Sequence, residues 1–225
     1  MSLRTRALVF STFFGSVLAI GLLLVSLTTN SWVKAYPKRR NSPESKGEVS
    51  YGLFYGIKEL DSGFGVRSYP VDVYTFIQTE QEPMNFWLWL ITALGTGFGL
   101  LGCAISAIAA VFKAASAAKK PGTMLVLFAS NISSALSQIL AFICWLIQFF
   151  QYLQHNVLAI EDRRHNWYSQ GLSSLGYSFY LIVVSTLVVF LNITILLHAR
   201  RCEKRDMQRL EPPSEEKHQS AIMLY

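Results

Sequence analysis

Residues 7–33 read ALVFSTFFGSVLAIGLLLVSLTTNSWV, without a single Asp, Glu, Lys or Arg. About 20 apolar residues in a helix cross the ~30 Å hydrocarbon layer of a bilayer. Three more uncharged runs of that size follow, Pro83 to Phe112, Pro121 to Gln154 and Asn166 to Leu197. A backbone polar group left unpaired in lipid costs several kcal/mol, so a lone segment crosses as a helix. The pattern predicts an all-α membrane protein, a four-helix transmembrane bundle. Its spans are expected at 7–27, 86–112, 124–150 and 177–197. Around them lie an N-terminus (1–6), a large loop (28–85), a short loop (113–123), a second loop (151–176) and a tail (198–225).

Four spans and one large loop nearly exhaust the 225 residues, which leaves no room for an ordinary soluble catalytic domain. Charged residues make up 15% of the chain and fall in loops and ends, as the cost of ~2.5 to 3.5 kcal/mol per mid-bilayer charge requires. The net charge of +6 collects beside the spans, a place suited to anionic headgroups and not to nucleic acid. Arg4 and Arg6 ahead of an apolar run imitate a secretory signal. The run lacks a small-x-small cleavage site, and it reads as a retained anchor. Cys103 and Cys144 fall in spans and Cys202 just past the last one, so no disulfide framework is expected.

Orientation is nearly balanced. Nine basic residues lie close to the membrane on the side of the termini, and nine lie in the two opposite loops. The first nine crowd against helix ends, while the others are spread along the loops, and this density puts both termini in the cytoplasm. The implied location is the plasma membrane.

The spans carry seams. Gly95, Gly99, Gly102, Ser106 and Ala109 form a stripe of small residues in span two, the kind that lets helices approach closely. Asn131, Ser134, Gln138, Ala141, Trp145 and Gln148 recur at spacings of three and four in span three, and Ser178, Ser185 and Asn192 stand one heptad apart in span four. Such repeats predict a left-handed bundle. Trp87, Trp89, Trp145 and Tyr152 fall near expected interfaces. Asn131, Gln138 and Asn192 read either as interhelical hydrogen-bonding groups or as a polar path for an ion or solute, and Ser185 reads as a helix-packing residue. The first reading is preferred, because ion and proton paths usually display an ionisable residue inside the bundle, and these spans have none. Two glycosylation sequons, at Asn131 and Asn192, lie within spans, so no N-glycan is expected.

In the large loop, Tyr36 to Lys46 reads as a flexible, basic excursion. Glu48 to Ile57 alternates like one strand, with Val49, Tyr51, Leu53 and Tyr55 on one face. A turn at Asp61-Ser62-Gly63 and a second strand, Val71 to Phe76, complete a small extracellular β-sheet within this loop. Trp32 and Phe54 read either as a hydrophobic plug for that sheet or as ligand-binding groups, and the plug is preferred.

Trp32 after span one, followed by Tyr51-Gly52-Leu53-Phe54-Tyr55-Gly56, resembles the tryptophan and YGLF-x-G signature of the clarin family. That signature is itself similar to the tryptophan and GLW motif of the wider claudin and peripheral-myelin group. Gly176-Tyr177-Ser178-Phe179-Tyr180 resembles the clarin GYSFW segment at the start of span four, and Ile222-Met223-Leu224-Tyr225 resembles the short apolar-aromatic clarin terminus. The chain lacks the loop cysteine pair of claudins, and the loop cysteines and sequon of other clarins. Packing alone is then expected to hold the sheet. The resemblance implies a four-span organiser of membrane complexes, in a family linked to sensory hair cells and hearing.

The tail begins His198-Ala199-Arg200-Arg201-Cys202, which reads either as a palmitoylated, lipid-binding segment centred on Cys202 or as a plain stop-transfer anchor. Met223-Leu224-Tyr225 has the apolar-x-apolar pattern that adds as a strand to a PDZ-type groove. No metal cluster, CxxC pair, phosphate loop or nucleophile-and-base set stands out, so no cofactor or enzymatic activity is expected. The expected partners are the bilayer, membrane or cytoplasmic scaffold proteins and a second copy of the chain. The reading is a non-enzymatic scaffold. The alternative is a channel or transporter subunit using the polar faces of spans three and four.

Overall fold

The computed structural model describes residues 3–61, 65–80, 82–115 and 121–210. Four helices are long and apolar enough to cross a membrane: α1 (Leu3–Thr28), α3 (Phe86–Ala115), α4 (Pro121–Gln148) and α6 (Tyr177–Leu210). Two short helices, α2 (Val73–Thr79) and α5 (Ile160–Arg164), lie in the connections. Helix α4 ends in a π-helical turn, Phe149–Leu153, closed by the Gln154 amide donating to the Phe149 carbonyl. The four long helices pack in a ring, α1 to α3 to α4 to α6 and back to α1.

Burial along each long helix follows steps of three and four. In α1 the buried residues are Thr5, Val9, Thr12, Ser16, Ala19, Leu23 and Ser26. In α6 they include Ser178, Ile182, Ser185, Val189, Asn192 and Leu196. This is the spacing that keeps one narrow seam facing the neighbours over many turns. The chemistry of the seams is inverted relative to a soluble bundle: Thr12, Ser16, Ser106, Asn131, Gln138 and Asn192 are buried, while Phe14, Phe98, Phe112 and Leu125 face outward.

One end of the ring is covered by an antiparallel sheet in the order β5-β4-β3-β1-β7. Its strands are β1 (Val33–Ala35), β3 (Ser42–Tyr51), β4 (Tyr55–Asp61), β5 (Val66–Asp72) and β7 (Ser173–Leu175). Off this path, β2 (Lys38–Arg39) pairs with both β3 and β6 (Trp167–Tyr168). The sheet is therefore built by both loops and not by the first alone, because β1 and β2 each use their second edge to pair with a strand from the second loop.

Three local expectations are corrected. Glu48 to Ile57 is not one strand, since the chain turns at Gly52, where the Gly52 amide donates to the Tyr55 carbonyl, and returns as β4. Val71 to Phe76 is not a strand beyond Asp72. The Asp72 carboxylate caps α2 by accepting from the Tyr74 amide and the Thr75 hydroxyl, which turns Val73 and Ile77 onto one buried face. Tyr36 to Lys46 is no excursion either, because it forms β2 and the first half of β3. The expected turn residues Ser62 and Gly63, and the terminal Met223, Leu224 and Tyr225, lie outside the described residues.

Candidate functional site: the polar core and the cap that seals it

Two hydrogen-bonded chains cross the bundle interior. In the first, the Asn192 amide on α6 donates to Ser16 on α1 at 3.2 Å, and Ser16 donates to Ser106 on α3 at 3.2 Å. Ser106 also accepts from the Asn131 amide on α4 at 2.6 Å. All four long helices are joined by these four side chains. In the second, Thr186 on α6 donates to the Gln138 carbonyl oxygen on α4 at 3.1 Å, Gln138 donates to Ser134 at 2.9 Å, and Ser134 donates to the Gly99 carbonyl on α3 at 2.7 Å. Cys103 Sγ lies 3.1 Å from the same Ser134 hydroxyl. Ser185 closes a further α6 to α1 contact by donating to the Ala19 carbonyl at 3.3 Å.

Close approach makes these bonds reachable. A Cβ at Gly102 would lie 2.8 Å from Ser134 Cβ and 3.1 Å from the Ser130 carbonyl oxygen, and one at Gly99 would lie 2.7 Å from Gln138 Cγ. Gly95 faces the Ser137 carbonyl oxygen in the same way. The stripe on α3 is thus the surface against which α4 lies, and the polar groups of α4 reach across it. Asn131, Ser134, Gln138 and Asn192 each donate to a neighbour, whereas nearer the sheet the Trp145 indole N–H and the Gln148 amide nitrogen are buried without a partner among the described residues.

Above this core, Trp32 is fully buried and tied on every side. Its indole N–H donates to the Ser26 carbonyl at 2.7 Å, and its ring meets Trp145 edge to face at 5.0 Å. Its backbone amide donates to the Tyr51 carbonyl, and its own carbonyl accepts from Gly176. One residue therefore joins α1, the β3 edge, α4 and the chain entering α6. Gly176 and Gly52 accommodate this junction, since a Cβ on either would overlap backbone of Ser31 or Thr29.

The rest of the cap motif is divided between plug and rim. Leu53 is fully buried, and its carbonyl accepts from the Trp89 indole at 2.7 Å. Tyr51 is also buried and donates to the Val157 carbonyl in the second loop at 3.0 Å. Burial pushes its phenol above the ordinary value, and the nearby Asp162 carboxylate adds to the shift. Gly56 lies against the Tyr51 ring. Phe54 is not a plug: it is 40% exposed and only leans on Trp89, while Leu53 fills the place expected of it. Likewise Trp89 and Trp145 are buried inside the protein and not on its outer surface, whereas Trp87 is exposed.

A part-buried ion pair reinforces the seal. Lys58 on β4 meets both carboxylate oxygens of Asp162 on α5, at 2.7 and 3.0 Å, and locks the two loops together. At the opposite end, Lys113 is buried and pairs with Glu203 at 3.5 Å, joining α3 to the extension of α6. Cys202 is half-buried on that extension, with His198 one turn behind it. No group of three His, Cys, Asp or Glu side chains is arranged to hold a metal among the described residues.

Sequence reasoning singled out Asn131, Gln138, Ser185 and Asn192 but missed Ser16, Thr186 and Gly15, whose missing side chain makes room for the Asn192 amide. The signal was present, because Thr12, Ser16, Ala19 and Ser26 repeat in span one at the same steps as the polar residues of span three. Comparison of the chain with protein-family models and with curated proteins finds no match.

Proposed function

We propose that the chain is a multi-pass membrane protein of clarin type, a non-enzymatic organiser of membrane complexes at the plasma membrane, with both termini in the cytoplasm. The observation that carries the membrane reading is the inverted bundle, apolar outside and hydrogen-bonded inside, for which lipid is the fitting solvent. Seams in steps of three and four support a left-handed supercoil. The clarin assignment rests on Trp32, Tyr51 to Gly56 and Gly176 to Tyr180, and it brings with it the proposed link to hair cells and hearing.

The scaffold reading is favoured over a channel because the mid-helix amides Asn131, Gln138 and Asn192 are hydrogen-bonded to Ser106, Thr186 and Ser16 on neighbouring helices. A conduit needs groups left free for the solute. Purified protein in liposomes is expected to pass no ions above protein-free controls. Robust flux, abolished by Asn131→Leu or Gln138→Leu, would reverse the order of the two readings. The proposed partners are membrane and cytoplasmic scaffold proteins, reached through the tail, and a second copy of the chain. Proximity labelling from the tail should enrich PDZ-type proteins, and an added C-terminal glycine should remove them; equal enrichment would reject that mode. Acyl-resin capture should be lost in Cys202→Ala, and unchanged capture would reject palmitoylation there.

A further inference from the structure

At the end of the bundle opposite the sheet, α1 and α3 leave a slot of about 380 Å³ between them. Its walls are one face of each helix, Arg6, Ala7 and Phe10 on α1 and Val111, Ala114 and Ala115 on α3. The three alanines open the slot, and Phe10 and Val111 stand exposed along it. Its depth follows from the pairing of these helices. Ser16, near the middle of span one, meets Ser106, and Arg6 lies ten residues back along α1. At 1.5 Å per residue, Arg6 is ~15 Å from the centre, at the edge of a ~30 Å hydrocarbon layer.

Arg6 is the charged member of these walls, and its Nε is buried with no hydrogen-bond partner. A buried charged donor left without an acceptor is costly, so the atom marks a place where an acceptor belongs. The described part of the chain does not bring one to the slot. No carboxylate lines it: Glu203 is spent on Lys113, and Asp206, about a turn farther along α6, is not among the lining residues. Helical side chains lean toward the helix N-terminus, which at the start of α1 carries Arg6 away from the hydrocarbon and toward the headgroup level.

We propose that this slot holds one anionic phospholipid, its phosphodiester accepting from Arg6 and an acyl chain lying along Phe10 and Val111. A guanidinium at the head of an apolar slot that opens on the outside of the bundle matches a molecule charged at one end and hydrocarbon along the rest. Free phosphate would meet Arg6 and leave the apolar walls uncovered. A second copy of the chain would bring the same slot, with an arginine and no acid to face Arg6. The lack of a lining acid also leaves a choline group without a partner, which favours a net anionic lipid over phosphatidylcholine. The site rests on the membrane reading above, and its assignment to the cytoplasmic leaflet rests on the proposed orientation.

The test uses the full chain in phosphatidylcholine vesicles, with phosphatidylserine or phosphatidylcholine spin-labelled on an acyl chain, and reads the motionally restricted lipid by electron paramagnetic resonance. Restricted lipid of both kinds is expected, with phosphatidylserine preferred about fivefold, the size of one basic group acting on an anionic headgroup. Arg6→Gln should abolish the preference, and Arg6→Lys should restore part of it. Ala7→Leu, which fills the slot and keeps every charge, should also abolish it. Arg4→Gln removes the same charge from a residue outside the slot and should leave the preference in place. Inorganic phosphate should compete no better than chloride at equal ionic strength. No preference in the wild type, an unchanged preference in Arg6→Gln, an equal loss in Arg4→Gln, or specific competition by phosphate would each overturn the site while leaving the membrane reading intact. A shift in oligomeric state by Ala7→Leu with lipid preference unchanged would overturn it in favour of a second copy. Absence of any restricted lipid would overturn the membrane reading as well.

Discussion

Trp32 shows what a single side chain does here, because its ring, its indole N–H and both its backbone groups are engaged with different elements. Trp32→Ala should destabilise the protein by about 3 to 5 kcal/mol through lost burial and the cavity left behind. Trp32→Phe keeps most of the ring but leaves the Ser26 carbonyl without its partner, at a cost of about 1 to 3 kcal/mol. Denaturant titration in a mild detergent orders the three proteins, and equal midpoints for Trp32→Phe and wild type would remove the hydrogen bond from the account. Tyr51 gives a pH signature. Its folded phenol ionises above the ordinary value of 10.0, so the folded state binds that proton more tightly than the unfolded chain. Its contribution is therefore complete below about pH 10 and falls above it, as the unfolded phenol ionises first. The alkaline loss of stability should be smaller in Tyr51→Phe, compared by thermal unfolding at neutral and high pH. Trp32 and Tyr51 were visible in the sequence as a motif. Their partners Trp145 and Val157 were not, because they lie far along the chain and only the fold brings them close.

At the scale of elements, the long helices were legible because hydropathy and seam spacing both mark them. The loop was harder. Val71 to Phe76 is rich in β-branched and aromatic residues, yet Asp72 with Thr75 behind it makes a helix cap, and the local hydrogen bonds decide. Strands β6 and β7 gave little signal, being two and three residues long, and they exist because β2 and β1 offer them an edge. The packing of α3 on α4 makes a paired prediction. Gly97 faces open space, so Gly97→Ala should be neutral or stabilising by up to about 1 kcal/mol. Gly102→Ala forces a Cβ into Ser134 and should cost about 1 to 3 kcal/mol. Similar unfolding midpoints for the two variants would contradict the close approach of these helices.

The whole molecule is a bundle whose polar groups turn inward, sealed at one end by a sheet that both loops complete. Sequence alone placed most of those polar groups on seams. It did not show that Asn192, Ser16, Ser106 and Asn131 form one chain through four helices, since that depends on the ring order. The seal has its own prediction: Lys58→Met leaves Asp162 part-buried without its cation and should loosen the second loop, seen as faster amide exchange across β6 and β7. The most direct measurement is the accessibility of two epitopes in living cells, one inserted at residues 62–64 and one at the C-terminus. The account predicts antibody labelling of the first on intact cells and of the second only after permeabilisation. Labelling of both epitopes on intact cells, or of neither before permeabilisation, would contradict a four-span protein at the cell surface with its sheet outside.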